Sequence, residues 1–494
     1  MSLLGPIFSL SVRRVDRWLR RSSADPATAQ RRVLRTLLRR AKNTRFGREH
    51  GFAKLAGPGD FAKAVPITDY DAQRAWIARA AHREAGVAWP GRVPFLARTA
   101  GTTGQPKQIP VTHDMIESNR RAGLAVFAHY ERLRPGGVRR LLRGKLLFLG
   151  GSTGLSKTPG GAVGGDLSAI ATRSVCWPLS RRFEPGVEIS LIEDWTEKVE
   201  RIAQRVAGRD IRFAAGLPGW TRILFDRILA LRQLPAAGGL TTAWPAFGLF
   251  VHSGMDVRPH RNAIRRCFGP EHPLDFLEAY LTTEGFLAVQ STDEVGGLEL
   301  LLDNGIFYEF LPLDADGPRL TVDEVEAGVP YRLVLSTNAG LWAYELGDVV
   351  RFLSTAPPRI AVVGRTAHAI DAAGRTFFDE DVASAVAAAA EKVACVVTAF
   401  TTAPTANGRG VQFVVESDDA RFDTSAFTAA LARDLGKSGK KPSVRAEFVP
   451  AGTFHAWMQQ RGTLGGQHKV PLCASDRRHV DEVLALAPPA PDVV

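Results

Sequence analysis

Residues 98–112 read RTAGTTGQPKQIPVT. Two glycines and three threonines stand ahead of Lys107, and a loop so poor in side-chain bulk exposes its backbone N–H groups, which suits an anion such as phosphate. It is not a P-loop, because Gly104 is followed by Gln105 and Pro106 instead of lysine and serine or threonine. Gly436-Lys437-Ser438 has that ending, but Leu431 occupies the position of the leading glycine. No G-x-G-x-x-G run occurs, so a dinucleotide-binding reading has no support.

A phosphate loop needs partners, and two acidic blocks further along supply them. EAYLTTEGF at 278–286 places Tyr280, Thr283 and Glu284 directly after an apolar run, and AYELGDVVRF at 343–352 places Tyr344, Gly347 and Asp348 in a similar setting. Together with the first loop they offer what a nucleoside triphosphate requires: backbone donors for phosphates, a flat ring for a base, one carboxylate for Mg²⁺ and another for ribose hydroxyls. The rival is GGSTG at 150–154, which fits a nucleophile elbow around Ser152. An elbow must run into a helix, and the following LSKTPGGAVGGDLS is too rich in glycine and proline to form one. The eleven histidines show no metal-ligand spacing.

The order of RTAGTTGQPKQIPVT, Y-x-x-TE and Y-x-x-GD, with QHKVP near the C-terminus, resembles the plant auxin-responsive acyl-acid amido synthetases, the Gretchen Hagen family, and their bacterial relatives within the adenylate-forming superfamily of acyl-CoA synthetases and luciferases. The similarity runs from QRRVLRTLLRRAKNTRFGREHGF through VPITDYD, KTPGG and FYEFLP to GQHKVPLC. It implies an α/β chain with a large N-terminal mixed-sheet adenylate-forming domain and a smaller mobile α+β C-terminal domain. It implies ATP and Mg²⁺ as cofactors, with Thr102, Thr103 and Gly104 lining the phosphate loop. Tyr280 would pack on adenine, Thr283 would contact the α-phosphate, Glu284 would hold Mg²⁺, and Asp348 would bind the ribose, with Arg365 as a helper near the hinge. Lys469 would be the mobile lysine of the small domain and, with Glu284, the catalytic pair. Glu345 and Leu472 depart from the family, which usually has arginine at both places.

The implied chemistry is ATP-dependent adenylation of a carboxylic acid, followed by acyl transfer to an amine or amino acid. A ligase with a thiol acceptor such as CoA is the alternative. A non-enzymatic alternative is a nucleotide-binding protein at a membrane surface. The oligomeric state is not written in the sequence.

Bulk properties frame this reading. At 494 residues, 45% hydrophobic and 23% charged, the chain is globular and long enough for two or three domains. Four cysteines, at 176, 267, 395 and 473, are too far apart for a disulfide framework or a C-x-x-C knuckle. With no stretch of eighteen apolar residues and no cleavable leader, the expected location is cytoplasmic.

The charge of +12 is local: residues 1–50 hold 13 Lys and Arg against 3 acids, a net of +10. It lies on two helical patterns, with apolar stripes at Phe8, Val12, Val15 and Leu19, and at Val33, Leu34, Leu37, Leu38 and Ala41. Asp25 and Pro26 mark the start of the second. Residues 1–24 are either a basic arm making weak contact with a membrane surface or a helix docked on the body; the lack of aromatic interleaving argues against nucleic acid.

The expected division is an arm at 1–24, an ATP- and acyl-binding domain at 25–365, a small domain at 366–486 and a disordered tail, APPAPDVV, at 487–494. Strands are expected at 145–149, 331–335, 359–363, 393–399 and 411–415. GGLELLLDNGIFYEF predicts a hairpin turning at Asn304-Gly305. FAAGLPGWTRILF at 213–225 predicts either a buried core helix or a wall of the acyl pocket.

Overall fold

The computed structural model describes residues 4–99, 107–151, 154–158, 160–173, 179–294, 296–313, 317–419, 421–437, 441–465 and 468–486. Thr102, Thr103, Gly104, Ser152 and the 487–494 tail lie outside the described residues. The chain forms two compact units. The first gathers the chain up to Gly216, Ala246–Gly254 and Pro273–Val362; the second gathers Leu217–Pro245, Met255–His272 and everything from Val363 onward. The second unit therefore draws two pieces from the middle of the chain, which a single cut near residue 365 does not anticipate.

In the first unit the strands are β1 (Phe95–Arg98), β2 (Gln108–Val111), β3 (Lys145–Phe148), β4 (Ser156–Lys157), β5 (Val163–Gly165), β6 (Phe183–Glu184), β7 (Ile211–Gly216), β8 (Leu249–His252), β9 (Asp275–Thr282), β10 (Gly285–Gln290), β11 (Leu298–Leu300), β12 (Ile306–Pro312), β13 (Pro330–Thr337), β14 (Tyr344–Thr355) and β15 (Pro358–Arg365), whose last residues belong to the second unit. A small sheet runs β2-β1-β5-β4, and a large mixed sheet runs β12-β13-β14-β15-β11-β10-β9-β8-β7-β3-β6. Strands β6, β3, β7, β8 and β9 pair in parallel, whereas β9-β10-β11-β15 and β12-β13-β14 are antiparallel.

The helix Pro26–Ala41 starts where predicted: the Asp25 carboxylate accepts from Thr28 N at 3.0 Å and Pro26 opens the first turn. Its expected stripe, Val33 to Ala41, is buried. The helix Leu4–Ala24 also lies on the body, with Phe8, Val12, Val15 and Leu19 packed against the helix His113–Leu133 and Phe8 meeting Phe127 edge to face at 5.2 Å. Burial of four such side chains contributes about 1.5–3 kcal/mol each. Among the described residues no helix is long and apolar enough to cross a membrane.

Two sequence expectations are corrected. Asn304-Gly305 does not turn a hairpin, because β11 pairs with β10 and β15 while β12 pairs with β13. Leu301 and Leu302 are both fully buried but in different cores, so the chain crosses between layers, and the Asn304 side chain is spent on the Phe286 carbonyl at 3.3 Å. The strand expected at 393–399 begins only at Val397, because the preceding helix runs to Val393 and closes on Ala394 in the left-handed region.

In the second unit β16 (Ile370–Ala372) pairs with β17 (Arg375–Phe377), and β18 (Val397–Pro404), β19 (Gly410–Ser417) and β20 (Ser443–Val449) form a three-stranded sheet. The helices Asp379–Val393 and Thr424–Leu435 supply Val382, Val386, Ala389, Phe427 and Leu431 to its core. FAAGLPGWTRILF divides between the units: β7 ends at Gly216, and the helix Pro218–Leu231 is a buried helix of the second unit.

Candidate active site

Parallel pairing brings Phe148, Gly216, His252 and the end of β9 to one edge of the large sheet. Open α/β sheets bind ligands at the carboxyl ends of their parallel strands. Tyr280 is near the carboxyl end of β9, and the two-residue turn into β10 consists of Thr283 and Glu284. Glu284 is buried, and its N–H donates to Thr282 Oγ1 at 3.2 Å.

Asp348 lies on β14, four strand spacings from β9 in the order of the sheet. A flat sheet would separate them by roughly 19 Å. Instead the Tyr280 hydroxyl donates to Asp348 Oδ2 at 2.6 Å, with both residues buried. The sheet closes that distance by curling over one core, to which β9, β10, β12, β13, β14 and β15 contribute Tyr280, Leu287, Tyr308, Leu335, Val350 and Ile360. Bulges aim both side chains. On β14 the register jumps between Glu345 and Val349, with Gly347 at φ +84°, a conformation favouring glycine; on β10 it slips between Phe286 and Ala288, opposite Tyr280. Glu345 pairs with Arg332 at 3.1 Å.

The neck of the glycine-threonine loop is cross-tied. Thr99 N donates to the Lys107 carbonyl, and Lys107 N to Thr99 Oγ1, each at 3.0 Å, continuing the β1–β2 register; Tyr70 accepts from Gln108 N at 3.0 Å.

Arg365 and Lys469 belong to the second unit. Arg365 ends β15, and Lys469 precedes residues 472–474, which bridge to Thr402 of β18: Thr402 N donates to the Leu472 carbonyl and Ala474 N to the Thr402 carbonyl, both at 2.9 Å. Sequence reasoning missed two neighbours of this segment, Asp379 and Trp220. Burial pushes the Asp379 carboxyl up to about 6, against the opposing pull of the Cys473 N–H, Lys469 and Arg365. Among the described residues no group of three or more His, Cys, Asp and Glu is placed to hold a metal ion. Mg²⁺ typically takes one or two carboxylates and completes its shell with water and phosphate oxygens, and Glu284 is a buried carboxylate in the turn between β9 and β10.

The large mixed sheet, with a smaller α+β unit, is the fold of the adenylate-forming ligases. Residues 16–185, 299–365 and 380–478 match the N-terminal, central and C-terminal domains of the GH3 family in turn. The chain belongs to the GH3 family. A probable indole-3-acetic acid-amido synthetase GH3.12 of Oryza sativa subsp. japonica is 23% identical over 421 residues, covering 68% of each chain. A second from the same organism, GH3.1, is 24% identical over 397 residues, covering 67% of this chain and 64% of that one. Among solved structures, the GH3.15 acyl acid amido synthetase superposes with a TM-score of 0.76 at 18% identity over 95% of both chains. A 2-hydroxyisobutyryl-CoA ligase in its postadenylation state gives 0.57 at 12% identity, over 96% of this chain and 90% of that one. The protein is an AMP-forming ligase of the acyl acid amido synthetase class, with the mixed α/β fold that the sequence implied.

Proposed function

We propose that this protein activates a small carboxylic acid with ATP and passes the acyl group to an amine or amino acid, using a nucleotide site centred on Tyr280, Thr283, Glu284 and Asp348. The Tyr280–Asp348 hydrogen bond carries the reading, since it joins the second and third motifs at the edge where such sheets bind ligands. In this reading Tyr280 packs on adenine, Asp348 holds the ribose, and Thr283 meets the α-phosphate. Thr102, Thr103 and Gly104 line the phosphate loop, with Arg365 helping near the hinge. Glu284 holds Mg²⁺, which when bound neutralises phosphate charge.

A carboxylate oxygen attacks the α-phosphorus, the bond from that phosphorus to the bridging oxygen breaks, and pyrophosphate leaves with the electron pair. An amine then attacks the acyl carbon, AMP departs, and the amine's proton goes to solvent. The barrier of the first step is the approach of one anion to another, and the loop N–H groups and the Lys469 cation offset it where charge develops. The second unit, which joins residues 366–486 to the helix Pro218–Leu231, moves between the two half-reactions, carrying Lys469.

Labelled pyrophosphate should exchange into ATP when a suitable acid is present, and Glu284→Ala and Asp348→Ala should abolish exchange. Exchange that survives both changes overturns the site.

A second reading concerns placement in a cytoplasmic setting. The exposed arginines 13, 14, 17, 20 and 21, with exposed Ile7 and Leu10, leave the outer face of the helix Leu4–Ala24 able to touch an anionic membrane weakly. Binding to anionic but not neutral liposomes, lost on replacing those arginines with glutamine, tests it.

A further inference from the structure

The segment that carries Lys469 is gripped at both ends within the second unit. Ahead of it, the indole Nε1 of Trp220, on the helix Pro218–Leu231, donates to the His468 carbonyl at 2.9 Å. Behind it, Cys473 N donates to Asp379 Oδ1 at 3.1 Å. The other oxygen of Asp379 faces Gly364: a Cβ built on that glycine would stand 3.3 Å from Asp379 Oδ2 and 3.0 Å from its backbone nitrogen. One carboxylate therefore sits against the residue before Arg365 and close behind Lys469, and both cations act on it.

Helix capping does not account for this burial. Asp379 opens the helix Asp379–Val393, but Asp381 already accepts from Phe378 N at 3.0 Å, and Glu380 and Asp381 serve the same helix turn. Trp220 raises the same question, since a smaller apolar residue would fill a helix face without reaching a carbonyl beside a candidate site lysine.

We propose that Asp379 and Trp220 are positioning residues for the first half-reaction, holding Lys469 in the posture from which it serves adenylation. The inference rests on the role given to Lys469 under Proposed function. Neither residue is expected to touch substrate.

The test separates the half-reactions in the full-length protein. Pyrophosphate exchange reports the first, and conversion of a supplied acyl-adenylate to an amide with an amino acid, measured above the rate without protein, reports the second. Asp379→Asn and Trp220→Phe, each removing one polar function with little change of shape, should lower the exchange kcat by about tenfold or more while leaving KM for ATP and the second half-reaction within about twofold. Each combined with Lys469→Ala should be no slower than Lys469→Ala alone, because a positioning residue has nothing left to position.

Wild-type exchange should fall as pH drops through about 6, where Asp379 gains its proton, and Asp379→Asn should lose that limb. This profile decides the matter even should Trp220→Phe fail to fold. Equal losses in both half-reactions, multiplicative losses in the double variants, or an acid limb unchanged in Asp379→Asn would each overturn the inference. Wild-type exchange strongly lowered, but still measurable, in Lys469→Ala, with both variants exchanging like wild type, defeats this inference alone. Absence of exchange in wild type with every acid tried defeats the reading beneath it as well.

Discussion

Tyr280→Phe removes one oxygen atom and leaves the ring. The lost group donates to Asp348 Oδ2 at 2.6 Å, with Tyr280 7% and Asp348 5% exposed. A hydrogen bond to a charged group in such a setting contributes about 1.5–3 kcal/mol, equivalent to about 10- to 150-fold in an equilibrium constant. The structure divides that cost between two observables. Some appears as lower stability, because a buried carboxylate loses a donor. Some appears as weaker ATP binding, because the carboxylate that would meet the ribose loses the group that aims it. The expected result is a rise in KM for ATP of about tenfold and an unfolding free energy of the first unit lower by about 1.5 kcal/mol, read from urea titrations at constant slope. Tyr308→Phe is the control: its buried hydroxyl donates to the Leu287 carbonyl at 3.1 Å, so its loss should cost stability without changing KM. A Tyr280→Phe protein that is destabilised but keeps its KM would show the pair to be structural, and the reasoning would fail.

Three further outcomes are expected. Leu19 is 1% exposed between the first helix and the body, so Leu19→Ala should cost about 2–5 kcal/mol in chemical denaturation; a loss below about 0.5 kcal/mol would show the helix to be a free arm. His129 is wholly buried, neither ring nitrogen has a hydrogen-bond partner among the described residues, and burial holds its pKa down at about 4, against an ordinary 6.5. The unfolded chain then binds the proton more tightly, so this stability is full above about 6.5 and falls by about 3 kcal/mol as pH drops to 4; His129→Leu should flatten that slope in acid titrations. Asp379 has the opposite sign, its pKa being raised from 3.8 to about 6, so its cost is absent below about 4 and complete above about 6. Asp379→Asn should therefore stabilise the second unit at pH 7.5 by up to about 3 kcal/mol in thermal or urea unfolding, and destabilisation there would contradict the burial argument.

What the sequence disclosed depended on how local the signal was. The stripe from Val33 to Ala41 and the Asp25-Pro26 start carry a helix in their own spacing, and the structure reproduces both. The segments around 145, 331, 359 and 411 are strands for similar reasons. Asn304-Gly305 misled because the turn preference is local while strand pairing is not: buried residues on β12 and β13 set the partner. The motifs around Tyr280 and Asp348 were legible as a pair of tyrosine-acid blocks, but their meeting depends on the curl of a sheet and on two bulges, of which only Gly347 left a mark in the sequence. Asp379 and Trp220 carried no signal, since one sits 90 residues before Lys469 and the other in a helix that joins the second unit only in three dimensions.

The central claim is that a carboxylate of the substrate acid attacks the α-phosphorus of ATP. Running the complete reaction with an acid labelled with oxygen-18 in its carboxylate, and weighing the nucleotide product, tests it most directly. The account predicts AMP carrying one labelled oxygen, alongside unlabelled pyrophosphate. ADP as the product, with the label in inorganic phosphate, would contradict it.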